Sequence, residues 1–110
     1  MHDQPGKFSI RFAVSDLESG RGVSRAVVRV RSDDDTDRVT TDNGGRGEFA
    51  GLAEGKYYVK VVSLPTPNMR TLSIDYEIVI NSEGRVFLPG EEVRTLNISC
   101  YQVNTYLGRH

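Results

Sequence analysis

Tryptophan is absent from this chain of 110 residues, cysteine occurs once, and neither sign of charge predominates, with 14 Lys and Arg against 15 Asp and Glu for a formal net charge of -1. Each shortage excludes something. The single cysteine, Cys100, permits no disulfide within the chain and no cysteine-based structural zinc cluster, so it reads as a small buried hydrophobe. Without Trp, a carbohydrate-binding platform of exposed indole rings is disfavoured, and the five Tyr are the nearest substitute. Balanced charge gives no overall attraction to nucleic acid or to an anionic membrane. No run approaches the roughly 20 apolar residues of a membrane span, and Met1 to Lys7 is polar, without the apolar stretch of a secretory signal. The expected location is extracellular or at a cell surface if this is a domain of an exported protein, and cytoplasmic otherwise.

Helical periodicity is missing as well, whereas two-residue periodicity is plentiful. Phe8, Ile10, Phe12 and Val14 alternate with polar residues, as do Ala26, Val28 and Val30, and then Tyr57, Val59 and Val61. Each set is the core face of a half-buried strand. Arg38 to Asp42 and Glu48 to Phe49 read as short strands around the Gly44-Gly45 turn. Ser73 to Ile80 reads as a strand with Ile74, Tyr76, Ile78 and Ile80 inward. Asn81 to Gly84 turns into Val86, Phe87 and Leu88, and a turn at Pro89 to Glu92 leads to a last strand from Arg94 to about Tyr106. Leu64 to Asn68 carries two prolines and is a loop. The polar Gln102 at an inward position marks a bulge or emergence from the core. About eight strands at this spacing predict an all-β fold, a single immunoglobulin-like or prealbumin-like β-sandwich over residues 8–107 between a flexible segment 1–7 and a tail 108–110.

Two turn systems carry a resemblance. Asp16-Leu-Glu-Ser-Gly-Arg-Gly-Val-Ser-Arg-Ala26 resembles the Asp-x-x-Thr-Gly-Lys-x-Leu-x-Gly-Ala step of Cna B-type domains, the prealbumin-like sandwiches of Gram-positive surface proteins and pilins. Gly55-Lys-Tyr-Tyr-Val-Lys-Val61, with Pro65 downstream, is similar to their Gly-x-Tyr-x-Leu-x-Glu segment, and Val103-Asn-Thr-Tyr106 to their closing Val-x-Asn-x-Tyr strand. Carboxypeptidase-regulatory-like domains share the turn motifs. The resemblance implies a structural or adhesive module, such as a stalk or spacer of a bacterial surface protein. Many members of that family join a Lys of the first strand to an Asn of the last, assisted by a Glu, in a dry core where the amine is neutral and the acid protonated. Carried across, the Lys slot falls on Val14, the Glu slot on Val61, and only Asn104 matches. The family mechanism is therefore expected to fail here, with the two valines packing in the core and no enzyme activity implied.

Binding is expected through loops at one end of the sandwich, Asp33 to Arg38 and Pro65 to Arg70, with Asp33, Asp34, Asp35, Asp37, Pro65, Pro67, Asn68 and Arg70 as candidates. Neighbouring domains or another protein, met through loops or edge strands, are the expected partners, with a weak homodimer among them. Nucleic acid, membrane insertion and a cofactor are not expected. Val27, Val62, Val79 and Tyr101 point outward by alternation and would mark a partner surface if contiguous. Asp33, Asp35 and Asp37 alternate as in a calcium loop, but lack its glycine turn and terminal Glu, so a solvated loop and no metal are expected. Arg25, Arg29, Arg31, Arg38 and Arg46 are read as exposed arginines partly paired with that acidic loop. A transthyretin-like hydroxyisourate hydrolase is the alternative, since Asn104-Thr-Tyr-Leu-Gly-Arg109 resembles its closing motif and Arg46 its turn arginine. Against it, Ala13 stands in the slot of that family's first-strand His, the last strand has no His, Leu107 replaces the Arg of the closing motif, and His2 and His110 are terminal. A carbohydrate-binding module is a further alternative.

Overall fold

The computed structural model describes residues 6–71 and 74–103 and contains ten strands in two sheets, with no helix among the described residues. In chain order they are β1 (Phe8–Asp16), β2 (Val27–Arg31), β3 (Thr36–Thr40), β4 (Arg46–Leu52), β5 (Gly55–Ser63), β6 (Met69–Thr71), β7 (Tyr76–Ile80), β8 (Val86–Leu88), β9 (Glu91–Val93) and β10 (Leu96–Gln102). One sheet has the order β4-β1-β10-β6 and the other β3-β2-β5-β7-β8-β9. All pairs are antiparallel except β1 with β10, which run parallel with Phe12 opposite Leu96, Val14 opposite Ile98 and Asp16 opposite Cys100. The all-β sandwich expected from alternation is the fold observed.

The core lies between the sheets and is assembled from the alternating positions. Ile10, Phe12 and Val14 of β1 meet Leu96, Ile98 and Cys100 of β10 on one side, while Val28, Val30, Val59, Val61, Ile78 and Ile80 fill the other. Phe12 and Phe49 stack with ring centroids 5.0 Å apart. Among the described residues Thr41 is the one buried polar side chain. Its hydroxyl donates to the Val23 carbonyl at 2.6 Å and accepts from the Ala26 amide at 2.9 Å. A single hydroxyl thus pins the β1–β2 linker to the end of β3, and its burial is tolerated because both of its bonds are made.

Two turns are built alike. Asp42 begins one and Asn81 the other; in each, the side-chain oxygen of the first residue accepts amides two and four positions on, and a positive-φ glycine, Gly45 or Gly84, precedes an arginine. Gly45 also allows no side chain, because an added Cβ would stand 2.4 Å from the Val14 carbonyl oxygen and 2.6 Å from the Val23 nitrogen. The turn therefore docks directly onto the β1–β2 linker.

Several boundaries differ from expectation. β3 starts at Thr36, inside the acidic run, because an edge strand can hold charged residues that a central one cannot. Arg70, expected in a loop, lies in β6 opposite Tyr101. Pro89 and Gly90, the latter at φ 86°, make a two-residue turn, so Glu91–Val93 is a strand rather than part of the turn. Ile74 precedes β7 and is exposed instead of facing the core. Gln102 emerges to solvent at the end of β10 with its ladder to β6 intact, so no bulge is needed there. Tyr106 and the closing residues lie outside the described residues.

Candidate functional site

The two loop regions expected to act together are at opposite ends of the sandwich. β2 pairs antiparallel with β5, Val27 opposite Ser63 and Arg31 opposite Tyr58. The Asp33, Asp34, Asp35 loop follows Arg31, whereas Pro65, Pro67 and Asn68 follow Ser63 beside Val27. Four strand residues, on the order of 13 Å, separate the two ends. The expectation of one binding end is therefore corrected. At the acidic end, an open groove of about 550 Å³ runs between the Asp33 to Asp35 loop and the Ala53 to Gly55 turn, floored by Val30, Leu52 and Tyr57, with Asp37 and Glu54 on its rim. At the other end, a groove of about 530 Å³ has Arg21 and Arg25 on one wall and Pro65, Thr66 and Met69 on the other. Pro67, Asn68 and Arg70 are exposed there; the Asn68 carbonyl accepts from the Val103 amide at 2.7 Å, and the Arg70 guanidinium caps the Pro67 and Met69 carbonyls.

Neither groove gathers reactive groups. The Tyr57 hydroxyl is committed to the Ala53 backbone, accepting from its amide at 3.1 Å and donating to its carbonyl at 2.7 Å. Burial, assisted by the Asp35 charge, raises its pKa against the opposing pull of that hydrogen bond. Asp42 is held below the usual carboxylate value because its oxygen accepts the Arg46 and Gly44 amides. Such a carboxylate is a turn anchor rather than a proton acceptor. No group of three or more His, Cys, Asp or Glu able to hold a metal ion occurs among the described residues. For the hydrolase alternative, Ala13 lies half-buried between Arg46 and Asn97, and His2, Leu107 and His110 are outside the described residues.

Val14 and Val61 are both buried and belong to one core cluster, Val14 beside Ile98 and Val61 beside Val28. Asn104 lies outside the described residues. The chain has three lysines: Lys7 and Lys56 are exposed, and Lys60 is half-buried on the outer side of β5.

The register also assembles a feature that alternation in single segments did not bring out. On the outer face of the six-stranded sheet, Arg38, Arg29 and Lys60 stand directly opposite one another on β3, β2 and β5. Arg31, two residues along β2 from Arg29, lies over the Tyr58 ring at 4.9 Å. Asp75 is the acid that reaches this group, 3.2 Å from Arg29 and 3.7 Å from Arg31. The Arg29 Nε is buried without an acceptor among the described residues. The arginines thus converge only in part: Arg46 belongs to the other sheet and Arg25 to the far groove, and the described ionic partner of Arg29 and Arg31 is Asp75 rather than the acidic loop. The clue in the sequence was that Arg29 and Lys60 both occupy non-core positions of adjacent strands. Val62, Val79 and Tyr101 are exposed, but Tyr101 is on the opposite sheet, so the outward apolar residues form no single patch.

No family model matches the chain, and no curated protein does. Solved structures match its fold. The Bacillus anthracis TIE protein aligns at 19% identity with a TM-score of 0.67, covering 89% of this chain and 17% of that one. The group B streptococcus pilus 2b backbone protein aligns at 12% identity and 0.66, covering 93% and 43%. BcpA, the major pilin subunit of Bacillus cereus, aligns at 18% identity and 0.58, covering 84% and 28%. The chain spans less than half the length of each. The sandwich implied by the Cna B-type turn motifs is therefore the sandwich found in the TIE protein and in these pilus and pilin structures.

Proposed function

We propose that this chain is a non-enzymatic structural or adhesive module of the Cna B type, a stalk or spacer of a bacterial cell-surface protein, and that it holds its fold without an internal isopeptide bond. The observation that carries this reading is the core itself. At the two positions corresponding to the amine and the acid it has Val14 and Val61, and the one buried polar side chain among the described residues is a hydroxyl engaged with backbone. A valine pair contributes packing without the cost of dehydrating two ionisable groups, so the sandwich loses its cross-linking chemistry and keeps its interior. The likeness to pilus backbone and pilin structures supports the setting at a cell surface, with neighbouring domains or another protein as partners.

Mass spectrometry with peptide mapping tests it. The wild-type chain is expected to carry its full mass, with Asn104 recovered in an uncross-linked peptide. The double substitution Val14→Lys and Val61→Glu is expected to restore closure, with loss of one ammonia and a cross-linked peptide joining position 14 to Asn104. Mapping is needed because cyclisation within Asn43-Gly44 would lose the same ammonia. A wild-type cross-link from any lysine to Asn104 would overturn the reading. So would hydroxyisourate turnover that tracked with the purified chain.

A further inference from the structure

Three cations facing one another across adjacent strands are unfavourable in an isolated sheet, since like charges directly opposite repel. Arg38, Arg29 and Lys60 form such a row on backbones about 4.8 Å apart. Arg31 adds a fourth positive charge, and Asp75 supplies one negative charge to Arg29 and Arg31 together. At the tip of the same β2–β3 hairpin, the turn closed by the Ser32 amide on the Asp35 carbonyl presents three exposed acids, Asp33, Asp34 and Asp35. No described ion pair reaches them. One hairpin therefore carries a basic middle and an acidic tip, about 10 Å apart along the strands.

We infer that the outer face of the six-stranded sheet is a self-association face, where the Asp33 to Asp35 tip of one copy lies on the Arg38, Arg29 and Lys60 row of a second copy. Two hairpins laid face to face and antiparallel, about a two-fold axis near Arg31 and Thr36, bring both tips to both rows at once, while Arg31, which meets its own copy near the axis, stays on Asp75 and over the Tyr58 ring. Such a contact is isologous and closes as a dimer. Each half supplies what the other lacks: carboxylates for the row and cations for the tip. Val62, exposed on β5, adds apolar surface to the same face. Edge-strand pairing has less to recommend it, because β3 and β9 carry Asp37, Arg38, Glu91 and Glu92, β6 is three residues long, and β4, the fourth edge, carries Arg46 and Glu48 and is bent out of regular strand geometry at Gly51.

Sedimentation equilibrium on the full chain tests the inference, using charge reversals in both halves. Wild type is expected to dimerise weakly, with its dissociation constant rising about tenfold between about 20 mM and about 300 mM salt. Asp33→Lys with Asp34→Lys, and separately Arg38→Glu with Lys60→Glu, are each expected to be monomeric, and an equimolar mixture of the two is expected to form the heterodimer. Folding does not confound the second variant, because reversing Arg38 and Lys60 replaces repulsion around Arg29 with attraction and its melting point should hold or rise. A wild type that stays monomeric at about 1 mM in low salt overturns the inference, even if it binds a tri-aspartate peptide. So does a wild type that associates while the mixed variants do not.

Discussion

The Thr41 hydroxyl bonds backbone on both of its sides, so Thr41→Val, nearly equal in shape, isolates the effect of those bonds. It leaves the Ala26 amide and the Val23 carbonyl without their partner and should cost about 1 to 3 kcal/mol in urea unfolding with an unchanged denaturant slope. Arg25 shows the opposite case. Its φ of 62° is the left-handed conformation that an L side chain resists, and in the Cna B-type step the corresponding residue is glycine. Arg25→Gly should relieve that strain and, after the greater freedom of the unfolded chain is subtracted, gain about 0.5 kcal/mol. Cys100 is buried, and its thiol pKa is raised first by burial and then by the Asp16 charge. Tyr57 is shifted the same way, so the folded chain keeps both protons to higher pH than the unfolded one. Their contribution is fully present while both states are protonated at neutral pH, and it is lost progressively once the unfolded chain begins to lose those protons. Stability therefore falls as pH rises from the ordinary thiol and phenol values through the raised ones, because there the unfolded chain binds fewer protons than the folded one, and it levels off at the reduced value above them. Cys100 should accordingly react with a thiol reagent only under denaturing conditions, at neutral and mildly alkaline pH alike.

Among the elements, those with strict alternation are legible in the residues themselves: β1, β2 and β5 each turn the expected residues toward the core. Those that lack it are not. β3 is written in Thr, Asp and Arg, residues suited to an exposed edge, and composition alone favours a loop there. β6 and β9 have three residues each, too few to show a period, and exist because long neighbours give them a ladder to join. The turns are legible as turns, but not their two-residue economy at Pro89-Gly90 or the docking of Gly45 onto the β1–β2 linker. Gly45→Ala should therefore be severe, since it combines a positive φ with backbone contact, and is expected to cost about 2 kcal/mol or more in chemical denaturation.

For the molecule as a whole, the exposure of the candidate segments is legible in composition and their arrangement is not. Asp33, Asp34, Asp35, Pro67 and Asn68 are exposed between strands, as their composition suggests, whereas Asp37 and Arg70 belong to β3 and β6; only pairing reveals that the two segments occupy opposite ends, and only register assembles Arg38, Arg29 and Lys60. The acidic run is spread over a loop and the start of β3, and a calcium titration to millimolar concentration should leave the melting point unmoved. The parallel β1–β10 pair bears on the proposed spacer role. Phe8 opens β1 at the acidic end and Gln102 closes β10 near the opposite one, with five residue pairs in register between them. Tension applied through the two chain directions would load this ladder lengthwise, so its hydrogen bonds would have to slide and fail together instead of unzipping singly. A domain without a covalent clasp can in this way still resist pulling, and stretching single molecules should show one abrupt rupture followed by release of on the order of 300 Å of chain.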